Sequence, residues 1–158
     1  MFGLFKKSKE NNEEKKEITI DHPLMGRLTF DDYQWVGKYT CHLFGTEKEI
    51  GLEIHLDNDK ADDPLKMQET AYSYYAENAD KINSKIESEL RYASETEDDL
   101  PLSSRFEPVC FIIFPDSSCG ISFRDHEIED EYSDAAYVVV SIRPRIVFKG
   151  SEHDYYGL

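Results

Sequence analysis

Residues 34–56 constrain the fold of this chain more than any other stretch, because both arms of the segment alternate as a β-hairpin does. The first arm places Trp35, Tyr39, Cys41 and Leu43 on one face and Val36, Lys38, Thr40 and His42 on the other. The second sets Ile50, Leu52, Ile54 and Leu56 against Glu49, Gly51, Glu53 and His55, with Gly45-Thr46 as the expected turn. One face is apolar and the other wet, so the hairpin needs a second layer to cover its apolar side.

The cover follows directly. Residues 57–63 are polar apart from Ala61 and end in Asp63-Pro64, which reads as a helix start: Asp63 as N-cap and Pro64 at the first helical position, where its missing N–H costs nothing. Beyond it Leu65, Gln68, Tyr72, Tyr75, Ala79, Ile82, Ile86 and Leu90 recur every three or four residues, a helical stripe with one polar member. A straight helix of that extent would run roughly 40 Å. A domain of this size has no room for it, so a bend or break is expected near Asn78-Ala79-Asp80, with Asn78 or Asp80 capping a second helix from Lys81.

Strands flank this helical region. Before the hairpin, Ile18 and Ile20 fit a short edge strand, and residues 25–30 fit another with Leu28 and Phe30 on one face. After Pro101, residues 109–114 are apolar on both faces, as in a central strand. Residues 119–123 and 136–142 are further strands, and 145–149 fit a short last one. The order strands, helices, strands predicts an α+β fold: a mostly antiparallel sheet of about six to seven strands, with one long bent helix or a helix pair on one face. The expected core is Trp35, Tyr39, Leu43, Ile50, Leu52 and Ile54, joined by Ile112, Phe114, Ile121, Phe123, Val138 and Val140. At 158 residues the chain fits a single domain, assigned to 18–158, behind a charged leader, 1–17.

Charge limits the function classes. The chain carries 18 Lys and Arg against 33 Asp and Glu, a formal net charge of -15. Five lysines and four acids fall in the leader, so the domain holds 13 basic and 29 acidic side chains, a net of -16. Such a field repels nucleic acid and speeds encounter with basic partners. Cys41, Cys110 and Cys119 form no C-x-x-C pair, as expected of a reducing compartment. No apolar run has the length of a secretory signal or a membrane span, and the expected location is cytoplasmic. Phe2, Leu4 and Phe5 beside Lys6, Lys7 and Lys9 make one small apolar cluster, too little for firm anchoring in a bilayer.

Phosphate loops, dinucleotide fingerprints, zinc spacings and nucleophile elbows are absent from the sequence, and no cofactor, catalytic residue or resident metal is expected. Asp57-Asn58-Asp59 opens like a calcium loop, but Ala61 stands at the third ligand position and Pro64 interrupts the turn. The acidic run around His126 groups Asp125, Glu127, Glu129, Asp130 and Glu131, which suits a docking surface for a basic protein. The same loop, 125–131, is the material for an alternative, a metal-dependent hydrolase, although consecutive loop residues tend to diverge rather than converge on an ion. Cys119 with His126 can be posed as a thiol and its base, and His42 with His55 as cross-strand neighbours, but no third group supports either pair. Among Tyr72, Tyr74 and Tyr75, only Tyr74 falls off the core stripe, which makes it a candidate contact residue.

His22-Pro23-Leu24-Met25-Gly26-Arg27-Leu28, Trp35-Val36-Gly37 followed by Leu43-Phe44-Gly45, the helix spacings Gln68-x-x-x-Tyr72 and Asn78-x-x-x-Ile82-x-x-x-Ile86, and Gly120 leading to Asp130-Glu131 give the chain a resemblance. It resembles a group of uncharacterised small bacterial domains, some of them found among immunity proteins of polymorphic toxin systems. The shared residues are turn and core residues, so the resemblance speaks for fold more than activity. It implies an acidic, non-enzymatic protein-binding module with a basic protein partner, in its specific form a cytoplasmic immunity protein facing a basic toxin. A structural or regulatory domain is the other alternative.

Overall fold

A computed structural model describes residues 17–58, 60–94, 100–128, 137–143 and 145–149, with the backbone alone for Ala93 and for the stretches from 137 onward. The hairpin stands at its centre. Strand β3 (Gln34–Leu43) pairs antiparallel with β4 (Thr46–His55) along their whole length, from Gln34 opposite His55 to Leu43 opposite Thr46. The turn is Phe44-Gly45 rather than Gly45-Thr46, and both residues have positive φ, 54° and 73°, as a two-residue type I′ turn requires. Glycine enters that region freely and phenylalanine does not. Phe44 is held there by its N–H, which donates to Glu87 Oε1 at 2.9 Å, and by its ring, 6.0 Å from that of Phe123.

Outward from β3 lie β2 (Gly26–Asp31) and β1 (Ile18–His22), both antiparallel. A close approach sets this part of the sheet. Leu28 lies over Gly37, where a Cβ would sit 2.7 Å from Leu28 Cδ2. On the other side β4 passes through helices α1 (Lys66–Glu77) and α2 (Ala79–Ala93) and a 3₁₀ turn (Leu102–Ser104) to β5 (Phe106–Ile113), which pairs with β4 in parallel. Strands β6 (Cys119–Asp125), β7 (Tyr137–Arg143) and β8 (Arg145–Lys149) complete an eight-stranded sheet in sequence order, antiparallel at every pairing except β4–β5. The fold is α+β with the expected order, and the strand count reaches eight because both marginal segments, 18–22 and 145–149, pair. Helix α2 contacts β3 on one side and β7 and β8 on the other, so the sheet curls around it.

The helices are a pair, and both start away from the expected residues. Helix α1 begins at Lys66 with Leu65 as N-cap, not at Pro64 behind Asp63. Gln68, the polar member of the stripe, explains the shift. Its Oε1 accepts the Leu65 N–H at 3.0 Å while its Nε2 donates to the His55 carbonyl at 2.7 Å, so one buried amide starts the helix and fastens it to the end of β4. The break falls at Asn78, as expected, but α2 starts at Ala79 rather than Lys81. Asn78 stands at the N-cap position of α2, as expected, but its side chain turns back, Nδ2 donating to the Tyr74 carbonyl at 2.9 Å, and closes α1.

Both helices cover the face that carries Trp35, Tyr39, Leu52 and Ile54. From β5 that face takes Phe111 and Ile113, not Ile112 and Phe114; Ile112 is buried outside this cluster and Phe114 is half-buried at the strand end. A bulge between Pro108 and Cys110 shifts the register, and a strand apolar on both sides gives alternation nothing to mark. Phe111 sits among aromatic rings, 4.6 Å from Tyr75 and 5.0 Å from Tyr39. The side chains of Val138 and Val140 lie outside those described; their register positions are opposite Phe123 and Ile121.

Candidate functional site

The acidic loop after β6 is the first candidate, and its leading carboxylate is committed to the fold. Asp125 is buried at the strand end, and Arg105 forks onto it, Nε at 3.1 Å from Oδ1 and an Nη at 2.9 Å from Oδ2. The other Nη reaches Glu127 at 2.9 Å and the Ser94 carbonyl at the end of α2 at 3.3 Å, and the guanidinium lies 5.0 Å from the centre of the Phe106 ring. Backbone bonds tighten the turn: the His126 N–H donates to the Arg105 carbonyl at 2.8 Å and the Glu127 N–H to Asp125 Oδ1 at 3.0 Å. Asp125 therefore clasps the helix layer to the sheet. Glu127 remains exposed, while Glu129, Asp130 and Glu131 lie outside the described residues.

His126 turns away from this clasp. Its Nε2 lies 3.1 Å from Glu107 Oε2, and Lys48 bonds the other oxygen of that carboxylate. The Lys48 ammonium, with a smaller contribution from His126, holds the Glu107 carboxyl below the usual carboxylate range. Among the described residues no group of three His, Cys, Asp or Glu side chains converges as ligands of an ion would. The thiol pairing also separates, because Cys119 begins β6 and His126 follows its end, roughly 20 Å apart at the strand rise. All three cysteines are buried outside any disulfide, and desolvation pushes the Cys41 and Cys110 thiols upward, away from nucleophilic thiolate. His42 and His55 sit at opposite ends of the hairpin, facing Glu47 and Gln34, so they are not cross-strand neighbours. Asn58 closes a local turn, accepting the Lys60 N–H at 2.9 Å.

The second candidate forms where the β1–β2 turn meets the outer face of α1. His22 builds it. Its side chain is nearly buried; Nδ1 accepts the N–H groups of Leu24 at 3.2 Å and Met25 at 3.3 Å, so the ring proton sits on Nε2, which donates to Glu69 Oε1 at 3.1 Å. The imidazole thus ties turn to helix. Lys66 binds the other Glu69 oxygen at 2.9 Å and is the main cause that lowers the Glu69 pKa, with His22 adding to it. The result is a shallow groove of about 320 Å³ with Leu24 and Tyr74 as its apolar parts and Lys66, Glu69, Ser73 and Glu77 around them. Leu24 is 50% exposed and Tyr74 60%, whereas Tyr75 and the half-buried Tyr72 turn inward.

Tyr74 was legible in the sequence because it leaves the core stripe. Leu24, Glu69 and Glu77 were not, since the wall they form depends on a contact between residues 47 apart, His22 and Glu69. No buried side-chain polar atom among the described residues lacks a partner, so the chemistry still open to other molecules lies on the surface. Nor is any helix among them long and apolar enough to cross a membrane. No family model matches the chain, and neither a curated protein nor a solved structure matches it.

Proposed function

We propose that this chain is an acidic, non-enzymatic binding module for a basic protein, in its specific form a cytoplasmic immunity protein that neutralises a basic toxin, and that the partner engages the groove between Leu24 and Tyr74. The observation that carries this reading is the exposed Leu24–Tyr74 pair with Glu69 and Glu77 beside it, on a chain of net charge -15. A strongly negative field raises the encounter rate with a basic surface, and a tyrosine at the centre of the contact supplies affinity after encounter. Two of the groups that the hydrolase alternative would use are engaged with other residues: Asp125 with Arg105, and His126 with Glu107, which Lys48 also binds.

The test is co-purification from the native host followed by kinetics with the captured protein. A basic partner is expected, with an association rate that falls steeply between low and high salt. Tyr74→Ala should weaken the complex by roughly 30-fold, the scale of an interface anchor, chiefly through faster dissociation. Binding that ignores both ionic strength and Tyr74 overturns the reading.

A further inference from the structure

We propose that the leader of this chain, residues 1–17, docks in the groove of its own domain, with Phe2, Leu4 and Phe5 against Leu24 and Tyr74 and with Lys6, Lys7 and Lys9 facing Glu69 and Glu77. The docking stands on the groove and on the leader; its consequence, that a protein partner must displace the leader, rests on the binding reading above.

Complementarity is the first argument. The first nine residues carry three lysines, four large apolar side chains and no acid, in a chain whose remaining residues hold 15 basic and 33 acidic side chains. The groove offers the matching surface: two exposed apolar side chains, and Glu77, which no described basic group pairs. Glu69 is already bonded to Lys66, which also lines the groove, and to His22, so it adds an acidic rim and Glu77 supplies the open charge. A tyrosine face also accepts a lysine ammonium beside an apolar contact.

Reach is the second. The leader joins β1 at Ile18, and the groove begins just past the other end of that strand, beside His22 and Leu24. Four strand steps are about 13 Å. Eleven residues lie between Phe5 and Glu17, and twelve chain steps reach about 40 Å at most. The segment is therefore long enough to span the gap, and a tether that reaches its site sets a local concentration on the order of millimolar, enough for a weak contact to be populated.

The test is NMR of the full chain with labelled leucine methyls and tyrosine rings. Phe2→Ser, Leu4→Ser and Phe5→Ser are introduced together; no described core residue changes, so folding is retained and the Leu28 and Leu90 methyl signals serve as the internal check. The expected result is a shift of the Leu24 methyl and Tyr74 ring signals that is independent of protein concentration. A charge-reversed leader, with Lys6, Lys7 and Lys9 each changed to Glu, should move the same signals in the same direction. Groove signals that stay in place in both variants overturn the proposal. So does a shift that vanishes on dilution, which assigns the leader to a second copy, and so does leader binding to phosphatidylglycerol vesicles with no groove shift in their absence. No partner enters these measurements, so their failure and that of the binding reading are separate events.

Discussion

Helices α1 and α2 follow one another with a single residue between them, yet they serve the molecule differently. Helix α2 presents Ile82, Ile86 and Leu90 to the sheet, all buried, and Asp80, Lys81 and Lys85 to water. Helix α1 buries only Gln68 and Tyr75 fully and leaves Met67 and Tyr74 more than half exposed. Hydrophobic burial holds α2. Directional bonds do much of the work for α1: Gln68 to the end of β4, His22 to Glu69, and the Tyr75 hydroxyl to Asn83 Oδ1 at 2.7 Å, from which Asn83 Nδ2 continues to the His42 carbonyl at 2.7 Å. A helix fixed by a few specific bonds can keep an apolar outer surface for another purpose. One that depends on its whole stripe cannot.

Ile86→Ala should break the comparison most severely. It opens a cavity at a fully buried position and is expected to cost about 3 kcal/mol in denaturant unfolding. An equal loss from an exposed α1 position such as Met67→Ala would remove the distinction between the helices. Next is the clasp at the end of α2. Asp125→Asn removes the buried one of the two carboxylates that pair with the largely buried Arg105 guanidinium, and about 2 kcal/mol should be lost, less than for a fully buried pair because Arg105 is partly solvated and keeps Glu127. Tyr75→Phe tests the directional side. It keeps the ring against Phe111 and strands Asn83 Oδ1, with an expected loss of about 1 to 2 kcal/mol. If the protein is unaffected, α1 is held by packing after all.

Tyr74→Ala belongs at the small end: a change within about 0.5 kcal/mol is expected in stability, since the side chain is mostly exposed. The difference between these two tyrosines, one position apart, was readable from helical period alone. So were the hairpin, the helix pair and its break near Asn78, because each depends on alternation, a stripe or a local length limit. Other features depend on partners distant in sequence. The turn at Phe44 needs Glu87, the start of α1 needs the His55 carbonyl, and the register of β5 needs a bulge that a doubly apolar strand does not announce. Asp125 shows the same limit at the candidate site. As a letter in an acidic run it reads as a docking charge, and only the approach of Arg105 across 20 residues turns it into a structural ion pair.

The smallest effect expected is at Glu69, and it concerns how α1 meets the groove wall. Its folded pKa is lowered, first by the bond from Lys66 and then by His22, so the carboxylate contributes stability that is fully present above the unfolded value. That contribution is lost as pH falls through the lower, folded value, because only then does protonation weaken the carboxylate that pairs with Lys66 and ties the β1–β2 turn to the helix. A carbon-detected titration of the Glu69 carboxyl should give a midpoint below the ordinary 4.5, and the Leu24 methyl signals should move over the same pH range as the turn loosens. Lys66→Ala should raise that midpoint toward the ordinary value while leaving the signals of Ile82, Ile86 and Leu90 in place. A wild-type midpoint at the ordinary value, or one unmoved by Lys66→Ala, would mean that the groove wall is set by packing of the turn and not by the bonds around His22.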